Sequence, residues 1–147
     1  MYAPILEMHL DKVTENARRL CDFCRERGVE LSFVTKGVSG LPEVIRAVRA
    51  GGITSFADSR MKNIIAAKTA MPDLRYLLIR IPALDEVEEV VRWADWSLQS
   101  QIETIRAISD AALRQGKVHP IVLMIDVGDL REGVFGMDQL EEIVPQI

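Results

Sequence analysis

The sequence predicts an α/β fold in which a parallel sheet is wrapped by helices. One helical segment is followed by strand-like and helix-like stretches that alternate five times, with a repeat of roughly twenty residues, the rhythm of βα units. The strand-like stretches are almost wholly apolar, as strands of a covered parallel sheet are. Each delivers a charged or hydrogen-bonding residue at its C-terminal end. Two architectures share this rhythm. One is the N-terminal part, about five βα units, of a (β/α)8 barrel, which normally takes about 250 residues. The other is a complete doubly wound five-stranded domain. A length of 147 residues favours the doubly wound sheet, whereas an end in "EEIVPQI", a helix without a glycine cap behind it, favours the barrel.

The elements follow in order. "LDKVTENARRLCDFCRERG" is a helix that gathers Leu10, Val13, Ala17, Leu20, Cys21 and Cys24 on one face, with Gly28 placed to stop it. "ELSFVTK" is a short strand. "LPEVIRAVRAGG" is a helix with Pro42 in its first turn, where a missing N–H is harmless, and Gly51–Gly52 at its end. "ITSFAD" is a strand, and "SRMKNIIAAKTAMP" is helical until Pro72. "RYLLIRIP" is a strand. "ALDEVEEVVRWA" is a helix burying Val87, Val90, Val91 and Ala94. "DWSLQS" is a brief strand, and "QIETIRAISDAALRQG" a helix with Ile102, Ile105, Ile108 and Ala112 in register. "HPIVLMIDVGD" is expected to be the longest strand, and "MDQLEEIVPQI" starts a final helix.

Composition bounds the function. With 48% hydrophobic and 27% charged residues, the chain can bury the core of one domain, spanning 1–147. A net charge of −4 without any Lys/Arg run excludes a general nucleic-acid footprint. No apolar stretch approaches a membrane span, and "MYAPILEMHLDK" lacks a signal-peptide layout, so no membrane partner is expected, and a cytoplasmic setting follows from reading its two cysteines as reduced. Cys21 and Cys24 form a C-x-x-C pair, but a zinc site needs more ligands and there is no second pair. They are read as buried, reduced thiols on a core-facing helix, and no metal is expected.

In either architecture the C-terminal ends of the strands form the functional rim. There the sequence places Lys36, Asp58, Arg80, Gln99 with Ser100, and then Asp126, Asp129 and Arg131. Alternation aligns Lys36 with Ser32 and Val34, opposite the bulkier Leu31 and Phe33, so Lys36 is expected to point inward. Val34, Leu78 and Met124 are read as parts of the same apolar inner wall. Lys36, Asp58, Arg80 and Asp126 could neutralise one another as a structural ion-pair cluster, but that leaves the small, flexible "GVSG" after Lys36 unexplained. A lysine in solution titrates near ~10.4, so only about one in 2,500 is neutral at pH 7. Burial and neighbouring cations such as Arg80 or Arg131 would lower that value, giving an amine able to form a Schiff base with a phosphate-bearing aldehyde cofactor. Neither a G-x-G-x-x-G after the first strand nor a P-loop signature is present, so nucleotide readings lack their fingerprints. His9 precedes the first helix and His119 opens the last strand at the opposite end from the rim. Both are read as structural or exposed.

Taken in order, "ILEMHLDKVTENARRL", "VTKGVSG", "GGITSFADSR", "LLIRIP", "WSLQSQIETI" and "VLMIDVGDLREGVF" resemble the N-terminal barrel domain of alanine-racemase-like, fold-type III pyridoxal-phosphate enzymes. The ornithine and related amino-acid racemases are the branch they are most similar to. The match runs over essentially the whole chain, and "DVGDLREG" at the end of the fifth strand is its most specific part. The resemblance implies a pyridoxal-phosphate-dependent amino-acid racemase with a small-molecule amino-acid substrate. It implies that Lys36 carries the cofactor as a Schiff base and serves as one of two racemising bases, and that Arg131 hydrogen-bonds the cofactor's phenolic oxygen. Asp58 and Arg80 join them as cofactor-binding candidates by their place on the rim.

The chain also departs from the pattern. Gly40 stands where alanine racemases carry a phosphate-contacting tyrosine, and Ser39 where the ornithine-type branch tends to have a cysteine. The second base, the arginine facing the pyridine nitrogen and most phosphate-binding loops lie beyond residue 147 in the family. The chain is therefore expected to be the N-terminal portion of a barrel domain, inactive alone and associating through open sheet edges as a homo-oligomer, a dimer or larger, or else with its missing half. The alternative is a non-catalytic pyridoxal-phosphate carrier, similar to small homeostasis proteins of the same fold that also have a strand-ending lysine.

Overall fold

Helical periodicity and apolar runs resolve into alternating helices and strands in a computed structural model that describes residues 5–147. Helix α1 is Leu10–Arg25, followed by β1 (Ser32–Val34), α2 (Pro42–Ala50), β2 (Ser55–Asp58), α3 (Met61–Ala70), β3 (Arg75–Leu78), α4 (Val87–Trp93), β4 (Trp96–Gln99), α5 (Ile102–Arg114), β5 (Ile121–Leu123) and α6 (Met137–Ile143). Pro42 sits in the first turn of α2, where its fixed φ suits the helix. Gly51 behind α2 is required by packing, because a Cβ there would lie 2.6 Å from the Ala17 Cβ of α1. No helix is long and apolar enough to cross a membrane, and no metal-binding group of His, Cys, Asp or Glu occurs among the described residues.

All strand pairs are parallel and the order is β1-β2-β3-β4-β5. That order decides between the two architectures. A doubly wound sheet reverses its order at a switch point. A strictly sequential sheet with right-handed crossovers keeps its helices on one face, as in a barrel wall. The register aligns Phe33, Phe56 and Tyr76 in one row facing that helical layer, with ring centroids 6.2 and 6.0 Å apart. Ile45, Val48, Ile64, Val90 and Ile108 from the helices close over them. This single layer of burial holds the fold together.

The opposite face carries Val34, Ala57, Leu77 and Trp96 in register, then Leu98 beside Val122. It is apolar yet open: Val34 is 41% and Val122 46% exposed. Leu78, expected on this inner wall, is fully buried on the helical side, and Leu77 takes the inward place. The fifth strand also differs. "HPIVLMIDVGD" yields only Ile121–Leu123, because its continuation is engaged by the returning loop: the Val134 amide donates to Met124 O at 2.8 Å and the Asp126 amide to Val134 O at 3.0 Å. Cys21 and Cys24 are free thiols, half-buried rather than buried.

Candidate active site at the rim of the sheet

Lys36 lies in a 3-10 turn, Thr35–Val38, directly after β1. The turn closes on itself through the Gly40 amide donating to Thr35 O at 3.1 Å and the Leu41 amide to Val38 O at 3.1 Å. Ser39 and Gly40 both adopt left-handed backbone, with φ of 52° and 67°. A Cβ at Gly40 would come within 3.2 Å of the Asn63 Cβ at a left-handed φ, so a side chain at that position is strained and crowds Asn63. Lys36 is exposed, not buried as expected, and its amine has no hydrogen bond or ion pair among the described residues. By contrast Lys68 is held by Asp95 at 2.7 Å, and Lys117 bonds Val91 O and Arg92 O.

Asp58 ends β2 on the side of Phe56, turned toward the helical layer and fully buried. Its carboxylate accepts from the Thr35 hydroxyl at 2.5 Å, the Asn63 side-chain amide at 3.1 Å and the Arg60 backbone N–H at 2.8 Å. Arg80, just past β3, donates from Nε to Ser59 O at 2.6 Å and forks onto both carboxylate oxygens of Glu86 at 2.7 Å. That fork, helped by the Ala83 N–H, holds the Glu86 carboxyl below its ordinary range. The four rim charges Lys36, Asp58, Arg80 and Asp126 do not pair with one another among the described residues.

The loop after β5 is organised by Asp126. Its Oδ1 accepts from the Gly128 N–H at 2.7 Å and the Leu130 N–H at 3.2 Å, and these bonds, Gly128's foremost, lower its pKa. Gly133 must be glycine: its φ is +135° and a Cβ would fall 2.4 Å from the Asp126 nitrogen. Arg131 projects from this loop, exposed, and forms no ion pair with Asp129 or Glu132. Gln99 is fully buried, donating to Ser97 Oγ at 3.0 Å, while Ser100 is half-exposed.

The structure thus brings the open amine of Lys36 and the open guanidinium of Arg131 to one end of the sheet, and turns Asp58 toward the helical layer beneath the lysine's turn. Thr35 and Asn63, which bond Asp58, and Glu86, which bonds Arg80, are residues that sequence reasoning passed over. Asn63 carried a signal, being a polar residue one helical turn before Ala67 in α3.

The profile of the alanine racemase N-terminal domain matches residues 8–147. Ornithine racemase of Acetoanaerobium sticklandii is 33% identical over 144 residues, covering 98% of this chain and 40% of that protein. Lysine racemase of Thermotoga maritima is 33% identical over 143 residues, covering 97% and 40%. Among solved structures, alanine racemase from E. faecalis superposes with a TM-score of 0.78 at 20% identity, over 95% of this chain and 38% of that one. PipY of Synechococcus elongatus PCC7942, solved with pyridoxal phosphate bound, gives 0.74 at 22% identity, over 88% and 62%. The structural likenesses establish the barrel-type fold. The chain spans 40% of the length of the curated racemases it matches.

Proposed function

The chain belongs to the alanine racemase N-terminal domain family, and on that footing we propose that it supplies the lysine-bearing part of a pyridoxal-phosphate-dependent amino-acid racemase. The observation that carries this reading is Lys36: an open amine just past the C-terminal end of β1, the end of the sheet where such sites lie, with Arg131 open in the loop after β5. The residues present fit the cofactor. Lys36 Nζ would hold its aldehyde carbon, and the Arg131 guanidinium would donate to its phenolic oxygen. Bound pyridoxal phosphate delocalises the charge left when an α-proton departs. Lys36, once free, would take or return that proton on one face of the α-carbon, as a positioned general base. Asp58 and Arg80, expected to touch the cofactor, serve it indirectly in this reading: Asp58 braces the Lys36 turn, and Arg80 ties the loop after β2 to Glu86 in the segment after β3. The names of the two curated racemases support ornithine or lysine as the substrate class.

Borohydride reduction after incubation with pyridoxal phosphate, followed by peptide mapping, tests the reading. The label is expected on Lys36 alone and to vanish in Lys36→Ala; a label on another lysine, or none, would overturn it. A non-catalytic pyridoxal-phosphate carrier is the second reading, supported by the likeness to PipY. Turnover of ornithine or lysine by the full-length protein supports the racemase. A labelled protein without turnover supports the carrier.

A further inference from the structure

We propose that Asp58 is a positioning residue for Lys36, acting through the Thr35 hydroxyl and the turn it anchors. The inference rests on Lys36 being the cofactor lysine. A fully buried carboxylate is costly unless its lone pairs are satisfied, and a cation is the usual partner. None pairs with Asp58 among the described residues. Its donors come instead from three separate pieces of chain: the end of β1, the loop after β2 and the first turn of α3.

Both ends of the lysine's turn converge on this cluster. At one end the Thr35 hydroxyl meets Asp58 at 2.5 Å, the length of a charge-assisted bond. At the other, Gly40 packs against Asn63, which itself donates to Asp58, and the Gly40 N–H returns to Thr35 O. Thr35 is β-branched, so fixing its hydroxyl fixes its χ1 and restrains its backbone. Lys36 is the next residue. The direction in which its side chain leaves the rim is thereby set by a buried acid on the helical side of the sheet.

Two measurements on the full chain test this, using Thr35→Val, Thr35→Ser and Asp58→Asn. In the absence of cofactor, amide exchange at Gly40 reads the turn. Thr35→Val is expected to speed it about ten-fold, the worth of one charge-assisted hydrogen bond, leaving α5 amides unchanged, with Thr35→Ser restoring protection. Unchanged Gly40 exchange, or an equal increase in α5, would overturn the proposal. In the second measurement the Lys36 Nζ forms a C–N bond to the aldehyde carbon of pyridoxal phosphate as water leaves, read by visible absorbance and borohydride trapping. Capture is expected to weaken about ten-fold in Thr35→Val and Asp58→Asn and to recover in Thr35→Ser. Wild-type capture by Thr35→Val would overturn the proposal as well. If the unaltered chain captures no cofactor at Lys36, the cofactor reading falls, and the exchange measurement still decides the positioning claim.

Discussion

Partial burial disfavours the charged form of His119. Its Nε2 lies 3.0 Å from Ser97 Oγ, and desolvation pushes its pKa below the ordinary 6.5, with Lys117 adding to the shift and Asp95 opposing it. In the window just below pH 6.5 the unfolded chain binds a proton that the folded chain refuses. The stability contributed is therefore complete above that value and is lost as pH falls through the folded pKa. Urea melts between about pH 7.5 and about pH 5 should show a falling midpoint that His119→Gln flattens in the upper part of that range. Gly133 makes a sterner single-residue test. Gly133→Ala drives a Cβ into the Asp126 backbone at positive φ and should cost about 2–4 kcal/mol, read as a lowered melting temperature.

Among the elements, Arg80 joins neighbouring rim loops, with its Nε on Ser59 O and its guanidinium forked onto Glu86, both side chains about 30% exposed. Glu86→Gln keeps the shape of the side chain but breaks the charged fork, and should cost about 1–2 kcal/mol in a chemical melt. The rhythm of these elements is legible in the sequence because helical and apolar patterns differ in period. Their order in the sheet is not, since sequential and switched βα units have the same local pattern. The fifth strand reads too long because periodicity cannot see that the "DVGDLREG" loop doubles back against its end. The rim rule correctly brings Lys36 and Arg131 to one end of the sheet. It says nothing of side: Asp58 shares the parity of Phe56, so strand alternation already pointed it at the helices, and Thr35 likewise. Arg80's partner, in the 3-10 turn Leu84–Glu86, is set by loop geometry that no spacing rule reports.

Over the whole molecule, the open face and both sheet edges dominate. Val34, Val122 and Ile125 leave apolar surface exposed, and β1 and β5 each pair on one side only within the sheet. Such surfaces recruit partners. We expect the 147-residue chain to sediment as a dimer or larger species at micromolar concentration and to bind an apolar dye. A clean monomer without dye binding would contradict this. Substituting Val34→Lys together with Val122→Lys should shift the chain toward monomer while leaving far-ultraviolet circular dichroism unchanged, since both side chains lie outside the helical layer.

The sequential strand order also has a temporal consequence. Every ladder joins segments separated by roughly twenty residues, so contacts stay local and each unit can dock as soon as it leaves the ribosome. The support beneath Lys36 closes with Asn63. A nascent chain therefore has the means to seat the Lys36 turn before the fourth strand has been translated.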